Sequence, residues 1–177
     1  MVVATSKLNL PDFLQLPNIN ESPAWELLDG EAIQKPMPTF YHSTIKKRLV
    51  ALMDASESPY EAFPELRCIP DTQSVVPDIA IVHQSQKPTG NLPLEIAPPW
   101  LIEILSPNQS TTKLITTIQY CLRSGSQIAW LIDPTEQVIM VFQSSDRFGL
   151  YRNGDRLPVL ENLNLSLTPE QIFSWLS

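Results

Sequence analysis

The sequence predicts an α/β fold in which a mixed β-sheet is flanked by helices and preceded by an N-terminal β-hairpin. Short apolar runs of strand length recur along the chain, and two proline-free stretches show helical spacing. Seventeen prolines against five glycines restrict regular helix elsewhere. With 177 residues and 43% hydrophobic content, the chain is the size of one ordinary domain with a core. We expect an N-terminal arm over residues 1–22 and a single domain over residues 23–177.

The predicted elements begin with a hairpin. Residues 24–36, AWELLDGEAIQKP, alternate around Asp29-Gly30, the dipeptide most favoured in a tight type I′ turn. Residues 42–56 follow as an amphipathic helix, since their apolar side chains recur at helical spacing with basic residues between them. A second helix is predicted over residues 110–125, and a short closing helix begins at a capping box formed by Thr168 and Gln171.

Strands are predicted between and after these helices. Residues 133–136, Asp-Pro-Thr-Glu, separate two apolar runs and predict an antiparallel hairpin. After this hairpin, the sequence predicts a weaker strand at the edge of the sheet. The predicted strand segments cover residues 60–69, 74–82, 100–106, 128–134, 137–143 and 149–160.

Charge and cysteine content limit the classes of function. A net charge of -7 argues against a protein that holds nucleic acid non-specifically, so any DNA partner is expected to bind by local contacts only. The dense basic cluster at residues 46–48 fits a solvated helix face better than a phosphate-binding patch. Cys68 and Cys121 lack zinc-site spacing, and no segment has the character of a signal peptide or membrane span. A reduced, cytoplasmic protein without a membrane partner is the expectation.

Two acidic residues stand inside apolar strand-like runs. Asp78 interrupts VVPDIAIV at residues 75–82, and Glu103 interrupts PPWLIEILSP at residues 98–107. A carboxylate in a buried strand is costly unless it is paired, hydrogen-bonded or bound to a metal. One such acid alone fits a strand end that reaches water, whereas two on neighbouring strands favour a shared site. Mg²⁺ or Mn²⁺ held by both acids could activate water for phosphodiester hydrolysis.

A nearby lysine would complete such a site by orienting the water or neutralising developing charge. Lys113 is the candidate, because it lies in the first turn of the helix that follows the Glu103 run. A solvated position on the polar face of that helix is an equally good interpretation of Lys113.

These motifs together resemble a known bacterial family. PDIAIV, LIEILSP, a helix and WLIDP, preceded by WELLDGEAIQ and YHSTIKKRLVALM, are similar to the putative restriction endonuclease-like family of the PD-(D/E)XK nuclease superfamily. The resemblance covers residues 23–143. It implies a restriction endonuclease-like fold and metal-dependent cleavage of DNA.

The resemblance also implies roles for individual residues. Asp78 and Glu103 would hold the metal, with the carbonyl of Ile104 as a third ligand, and Glu31 of the DGE turn matches a further acid of the site. His42 matches a frequent histidine, for which we expect a helix-capping or surface role.

The chain departs from the family pattern at the helix after the Glu103 run. Members typically carry Asp-x-x-x-Lys there, but this chain has Lys113 at the aspartate position and Thr117 at the lysine position. Residues four apart share a helical face, so Lys113 could serve the same pocket after a one-turn shift.

Three functions remain open from the sequence: a metal-dependent DNA endonuclease, a catalytically decayed binding or assembly module, and a partner-bound subunit. We also predict a homodimer, because the apolar runs at residues 128–134 and 137–143 are expected near the end of the sheet order, where edges tend to be covered.

Overall fold

A six-stranded mixed sheet forms the centre of the fold, and a two-stranded hairpin forms a separate small sheet. The structure is a computed structural model that describes residues 7–177. The strands are β1 Trp25–Leu28, β2 Glu31–Gln34, β3 Tyr60–Pro64, β4 Ile79–His83, β5 Trp100–Ile104, β6 Ile128–Asp133, β7 Val138–Ser144 and β8 Arg147–Tyr151. The helices are α1 Leu10–Leu14, α2 Phe40–Ala55, α3 Thr111–Arg123 and α4 Pro169–Ser174, with a 3₁₀ turn at Gln84–Gln86. The predicted α/β fold with its N-terminal hairpin is confirmed.

The large sheet has the strand order β3-β4-β5-β6-β7-β8, and every neighbouring pair is antiparallel except β5 and β6. Parallel neighbours need a crossover connection, and α3 supplies it. Ser110 caps α3 as predicted, since its side chain accepts a hydrogen bond from the Lys113 N–H. Gly125 follows the helix with a φ of 120°, in the left-handed region that favours glycine.

Helices cover the two faces of this sheet. Ile45 and Leu49 of α2 pack against one face, together with the C-terminal segment that includes α4. Leu114 and Ile118 of α3 pack against the other face. Because strand residues alternate between faces, each strand contributes side chains to both layers of the core.

The opening hairpin turns where the sequence predicts it. Asp29 and Gly30 have positive φ angles of 49° and 83°, as a type I′ turn requires. A Cβ on Gly30 would lie 2.6 Å from the Cβ of Lys7, so glycine is required for space as well as for conformation.

The arm that precedes the hairpin packs against it. Phe13 of α1 and Ile19 form a small apolar cluster with Leu27 of β1. The Leu8 N–H also donates to the Gly30 carbonyl, at 3.0 Å. The first six residues of the predicted arm lie outside the described residues.

Two predicted strands are shorter than their apolar runs. β3 ends at Pro64 and β4 begins only at Ile79, because the chain between them turns back on itself. Glu65 and Asp71 have positive φ angles, and the backbones of Cys68 and Val75 form an isolated antiparallel β-bridge. As a result, Asp78 stands immediately before β4 rather than within it.

The strands expected near the sheet edge are interior. β6 lies between β5 and β7, and β7 lies between β6 and β8, so the edge on this side is β8. β6 and β7 stand fourth and fifth in the order of six strands, and β8 overlaps the segment that the sequence predicts as a weaker edge strand. The homodimer itself stays a prediction. Within residues 7–177, no helix combines the length and apolar character needed to cross a membrane.

Candidate active site

The two acids singled out in the sequence lie opposite one another, Asp78 immediately before β4 and Glu103 within β5. The antiparallel register of β4 and β5 pairs Ile79 with Ile102, which places Asp78 and Glu103 at the next position along the pair. Both side chains are buried, with Asp78 4% and Glu103 1% exposed. Directly opposed residues point to the same face of a sheet, so the two carboxylates converge.

The ammonium group of Lys35 lies between these carboxylates. Its Nζ is 2.9 Å from Asp78 Oδ1, 3.2 Å from Glu103 Oε2 and 2.7 Å from the Val76 carbonyl oxygen. These three acceptors use all three N–H donors of a lysine. Lys35 follows β2, and its backbone N–H donates to the Ala24 carbonyl, so the hairpin fixes its position.

The second oxygen of Asp78 also has two partners. Its Oδ2 accepts a hydrogen bond from the Ile104 N–H at 2.7 Å and lies 3.0 Å from His42 Nε2. His42 is only 6% exposed, in the first turn of α2. The expected capping or surface role of His42 was wrong, because Thr39 is the N-cap residue and the imidazole faces the sheet.

A third buried acid comes from the hairpin. Glu26 of β1 is 7% exposed, and its Oε1 accepts a hydrogen bond from the Val76 N–H at 2.7 Å. Val76 therefore links Glu26 and Lys35, since its carbonyl accepts from the lysine. The site contains three carboxyl groups and a single ammonium, so full ionisation would leave buried negative charge uncompensated.

The pKa values divide the acids into two kinds. Burial alone would raise the pKa of Asp78, but the charge of Lys35 and the hydrogen bond from His42 hold it well below its ordinary value. Burial raises the pKa of Glu103 well above its ordinary value despite the opposing effect of Lys35, and it raises the pKa of Glu26 in the same way. Burial also opposes the charge of Lys35, but Asp78 and Glu103 raise the pKa of this ammonium overall. Asp78 and Lys35 are the ionised pair of the site.

The site also has polar atoms without partners and a small cavity next to it. Glu103 Oε1 and His42 Nδ1 are buried, and neither has a hydrogen-bond partner among residues 7–177. A cavity of about 20 Å³ adjoins the site on the side of His42, and Lys35 and Asp78 are also among its lining residues. This volume is sufficient for one water-sized occupant.

The other predicted site residues lie elsewhere. Glu31 is exposed at the turn end of the hairpin, four residues before Lys35 and so roughly 13 Å from it along an extended strand. Lys113 is exposed on α3, and among residues 7–177 the ammonium that contacts both acids is that of Lys35. Thr117, at the family's lysine position, is buried and its hydroxyl donates to the Lys113 carbonyl. Ile104 joins the site through its N–H, and a metal-binding role for its carbonyl stays a prediction.

Sequence reasoning missed Glu26 and Lys35. Glu26 carried a signal, since this acid stands between the apolar residues Trp25 and Leu27 of a predicted strand. Lys35 carried none, because it meets Asp78 and Glu103 across 43 and 68 residues of chain.

The donor set fits one hard cation. Within residues 7–177, no group of three or more His, Cys, Asp or Glu side chains is arranged to hold a metal ion. Mg²⁺, however, is commonly held by one or two carboxylates, with water and substrate phosphate completing its shell. Asp78 and Glu103 supply two carboxylates, and the unpartnered Glu103 Oε1 is a free acceptor. The ammonium of Lys35 lies at the position that such an ion would share.

Comparison with known proteins shows the family to which the chain belongs. The sequence profile of the Uma2 family, described as "Putative restriction endonuclease", matches residues 10–174. The chain is a member of the Uma2 family. Membership supports a nuclease-like function, and restriction endonuclease-like proteins generally use divalent metals.

A solved structure resembles this Uma2 protein over almost its whole length. It is the crystal structure of a putative nuclease belonging to DUF820 from Anabaena variabilis, with 38% sequence identity and a TM-score of 0.88. The similarity covers 96% of this chain and 99% of that one. No functionally curated protein matches the sequence. The restriction endonuclease-like fold predicted from the motifs is confirmed.

Replacing Glu103 by glutamine is expected to flatten the dependence of stability on pH. Because the folded-state pKa of Glu103 is raised, its contribution to stability is present at acidic pH and is lost as pH rises above the ordinary glutamate range. The substituted amide would carry no titrating proton, so between pH 5 and pH 8 the variant should lose less unfolding free energy than the wild type, by about 1 kcal/mol. Guanidinium denaturation at several pH values measures this difference. Equal pH slopes for the two proteins would contradict it.

Proposed function

We propose that this Uma2 protein is a divalent-metal-dependent endonuclease that hydrolyses phosphodiester bonds in DNA. The observation that carries the proposal is the convergence of the Asp78 and Glu103 carboxylates from neighbouring strands. Mg²⁺ or Mn²⁺ held there would supply Lewis-acid stabilisation and an activated water. The carbonyl of Ile104 is the proposed third ligand.

Other residues of the chain would prepare the acids for this role. The hydrogen bond from the Ile104 N–H and the contact with His42 fix the orientation of the Asp78 carboxylate and favour its ionised form. A ligand that is already oriented and ionised needs little rearrangement to bind a cation. Catalytic roles for Glu31 and Lys113 would require each side chain to approach from its exposed position.

Contacts with DNA are proposed to be local. In the basic cluster of α2, Lys46 Nζ is 3.0 Å from Glu65 Oε1, and the Arg48 guanidinium lies 6.0 Å from the centre of the Trp175 ring. Two of the three basic residues are therefore engaged within the protein. Since phosphate contacts by Lys and Arg set the salt dependence of DNA affinity, we expect a shallow one here.

The second candidate function is a binding or assembly module that retains the nuclease scaffold without cleaving. The position of Lys35 favours it, because a buried ammonium with three acceptors already compensates the charge of the acids. Such a protein would need no metal for stability.

A cleavage assay combined with calorimetry tests both candidates. Supercoiled and linear double-stranded DNA would be incubated with the full-length protein in Mg²⁺, Mn²⁺ or chelator, and metal binding would be measured by titration calorimetry. The endonuclease proposal expects metal-dependent cleavage that Glu103→Gln abolishes. Metal binding without cleavage would favour the module, and no binding at millimolar metal would refute the endonuclease.

A further inference from the structure

The ammonium of Lys35 occupies a position defined by the two acids. Asp78 and Glu103 each direct one carboxylate oxygen to it, at 2.9 and 3.2 Å, and the Val76 carbonyl closes a third side at 2.7 Å. The lysine side chain is only 11% exposed. A cation bound by both carboxylates would have to share this space.

A divalent ion and the ammonium cannot share it. Two cations about 4 Å apart in a partly buried site repel each other strongly, because little water screens them. The acids would therefore hold one or the other. The side chain of Lys35 also has space beside it, since it lines the cavity of about 20 Å³ and is partly exposed to solvent.

We propose that Lys35 is an internal competitor for the metal position, which holds Asp78 and Glu103 together in the metal-free protein and leaves them when a divalent ion binds. The inference rests on the proposed function to the extent that these acids bind a metal. In this protein the lysine that the family pattern has on α3 would then be supplied by the hairpin. Once released from the acids, its ammonium can pair with a phosphate oxygen of the substrate. Lys35 is in this sense a positioning residue, and Lys113 is not needed for that task.

Lysine reactivity in the wild-type protein tests the exchange directly. The full-length chain would be treated briefly with an acetylating reagent, with and without Mn²⁺, and modification of each lysine would be followed by peptide mass spectrometry. Lys35 should be protected without metal and should react at least about tenfold faster at saturating Mn²⁺, because a buried, hydrogen-bonded amine becomes accessible. Lys47 is the internal control, since its exposed amine should react equally in both conditions. Continued protection of Lys35 at saturating Mn²⁺ would overturn the proposal.

Metal affinity provides a second measurement. Lys35→Met removes the competing charge at similar length, so calorimetry should give a Mn²⁺ dissociation constant at least about tenfold lower than for the wild type. Lys47→Met, at an exposed lysine of α2 outside the site, is the matched control and should leave the constant unchanged. Equal affinities for Lys35→Met and the wild type would overturn the competition while leaving the proposed function intact. If neither protein binds Mn²⁺, both proposals fail. Should Lys35→Met not fold without metal, the reactivity of the wild-type protein decides.

Discussion

Lys35→Met is expected to lower the free energy of unfolding by about 3–5 kcal/mol at pH 8 in metal-free buffer, the usual cost of leaving a buried charge without its partner. The substitution removes the ammonium that Asp78 and Glu103 share and leaves the Val76 carbonyl without its lysine donor. Lys35 is the largest cause that lowers the pKa of Asp78, whereas burial raises it. Without the ammonium, Asp78 is therefore either a buried carboxylate that has lost its main countercharge or a carboxyl group that has taken up a proton. Guanidinium denaturation measures the change.

The size of this loss should depend on pH and on metal. As pH falls, Glu103 and Glu26 gain protons readily because their pKa values are raised, so the buried negative charge and the penalty both shrink. Mn²⁺ should restore part of the stability by binding the folded state. Lys113→Met, a change at an exposed lysine, should remain within about 0.5 kcal/mol of the wild type. A Lys35→Met protein as stable as this control at pH 8 would show that the ammonium does not compensate the acids.

Asp78→Asn is expected to reduce DNA cleavage by about 100- to 1000-fold, because a metal ion contributes several kcal/mol of transition-state stabilisation that requires its ligands. The amide retains the shape of the carboxylate but loses its charge. Mn²⁺ affinity measured by calorimetry should fall in parallel, which a purely structural role would not produce. Stability should fall as well, since Lys35 and the Ile104 N–H lose a charged acceptor.

A matched acid controls for general effects of charge. Asp146→Asn changes an exposed aspartate in the turn between β7 and β8, far along the chain from the acids, and should leave both cleavage and Mn²⁺ affinity unchanged. If Asp78→Asn also leaves Mn²⁺ affinity unchanged while it lowers stability, Asp78 is a partner of Lys35 and not a metal ligand. This outcome would favour the non-cleaving module.

The local elements were predictable because their signals are local. The Asp29-Gly30 turn, the Ser110 cap of α3 and the capping box of Thr168 and Gln171 each depend on residues within a few positions of one another. The edge of the large sheet was not predictable in the same way, since strand order depends on which segments pair. A weak edge strand after residue 146 was predictable from the chain, but its pairing with β7, which makes β6 and β7 interior, was fixed by the tertiary structure.

The candidate site shows the same division. Asp78 and Glu103 could be found from the chain alone, because an acid within an apolar run is costly wherever the run is buried, and this cost is visible in the residues on either side. The residues that contact these acids in the folded protein could not be found in this way. Lys35 comes from the end of the hairpin and His42 from α2, and the residues beside them along the chain do not indicate that they contact Asp78. Electrostatic pairing acts through space between segments that packing brings together. The position of the hairpin against the sheet therefore decides that Lys35 is the cation beside the acids.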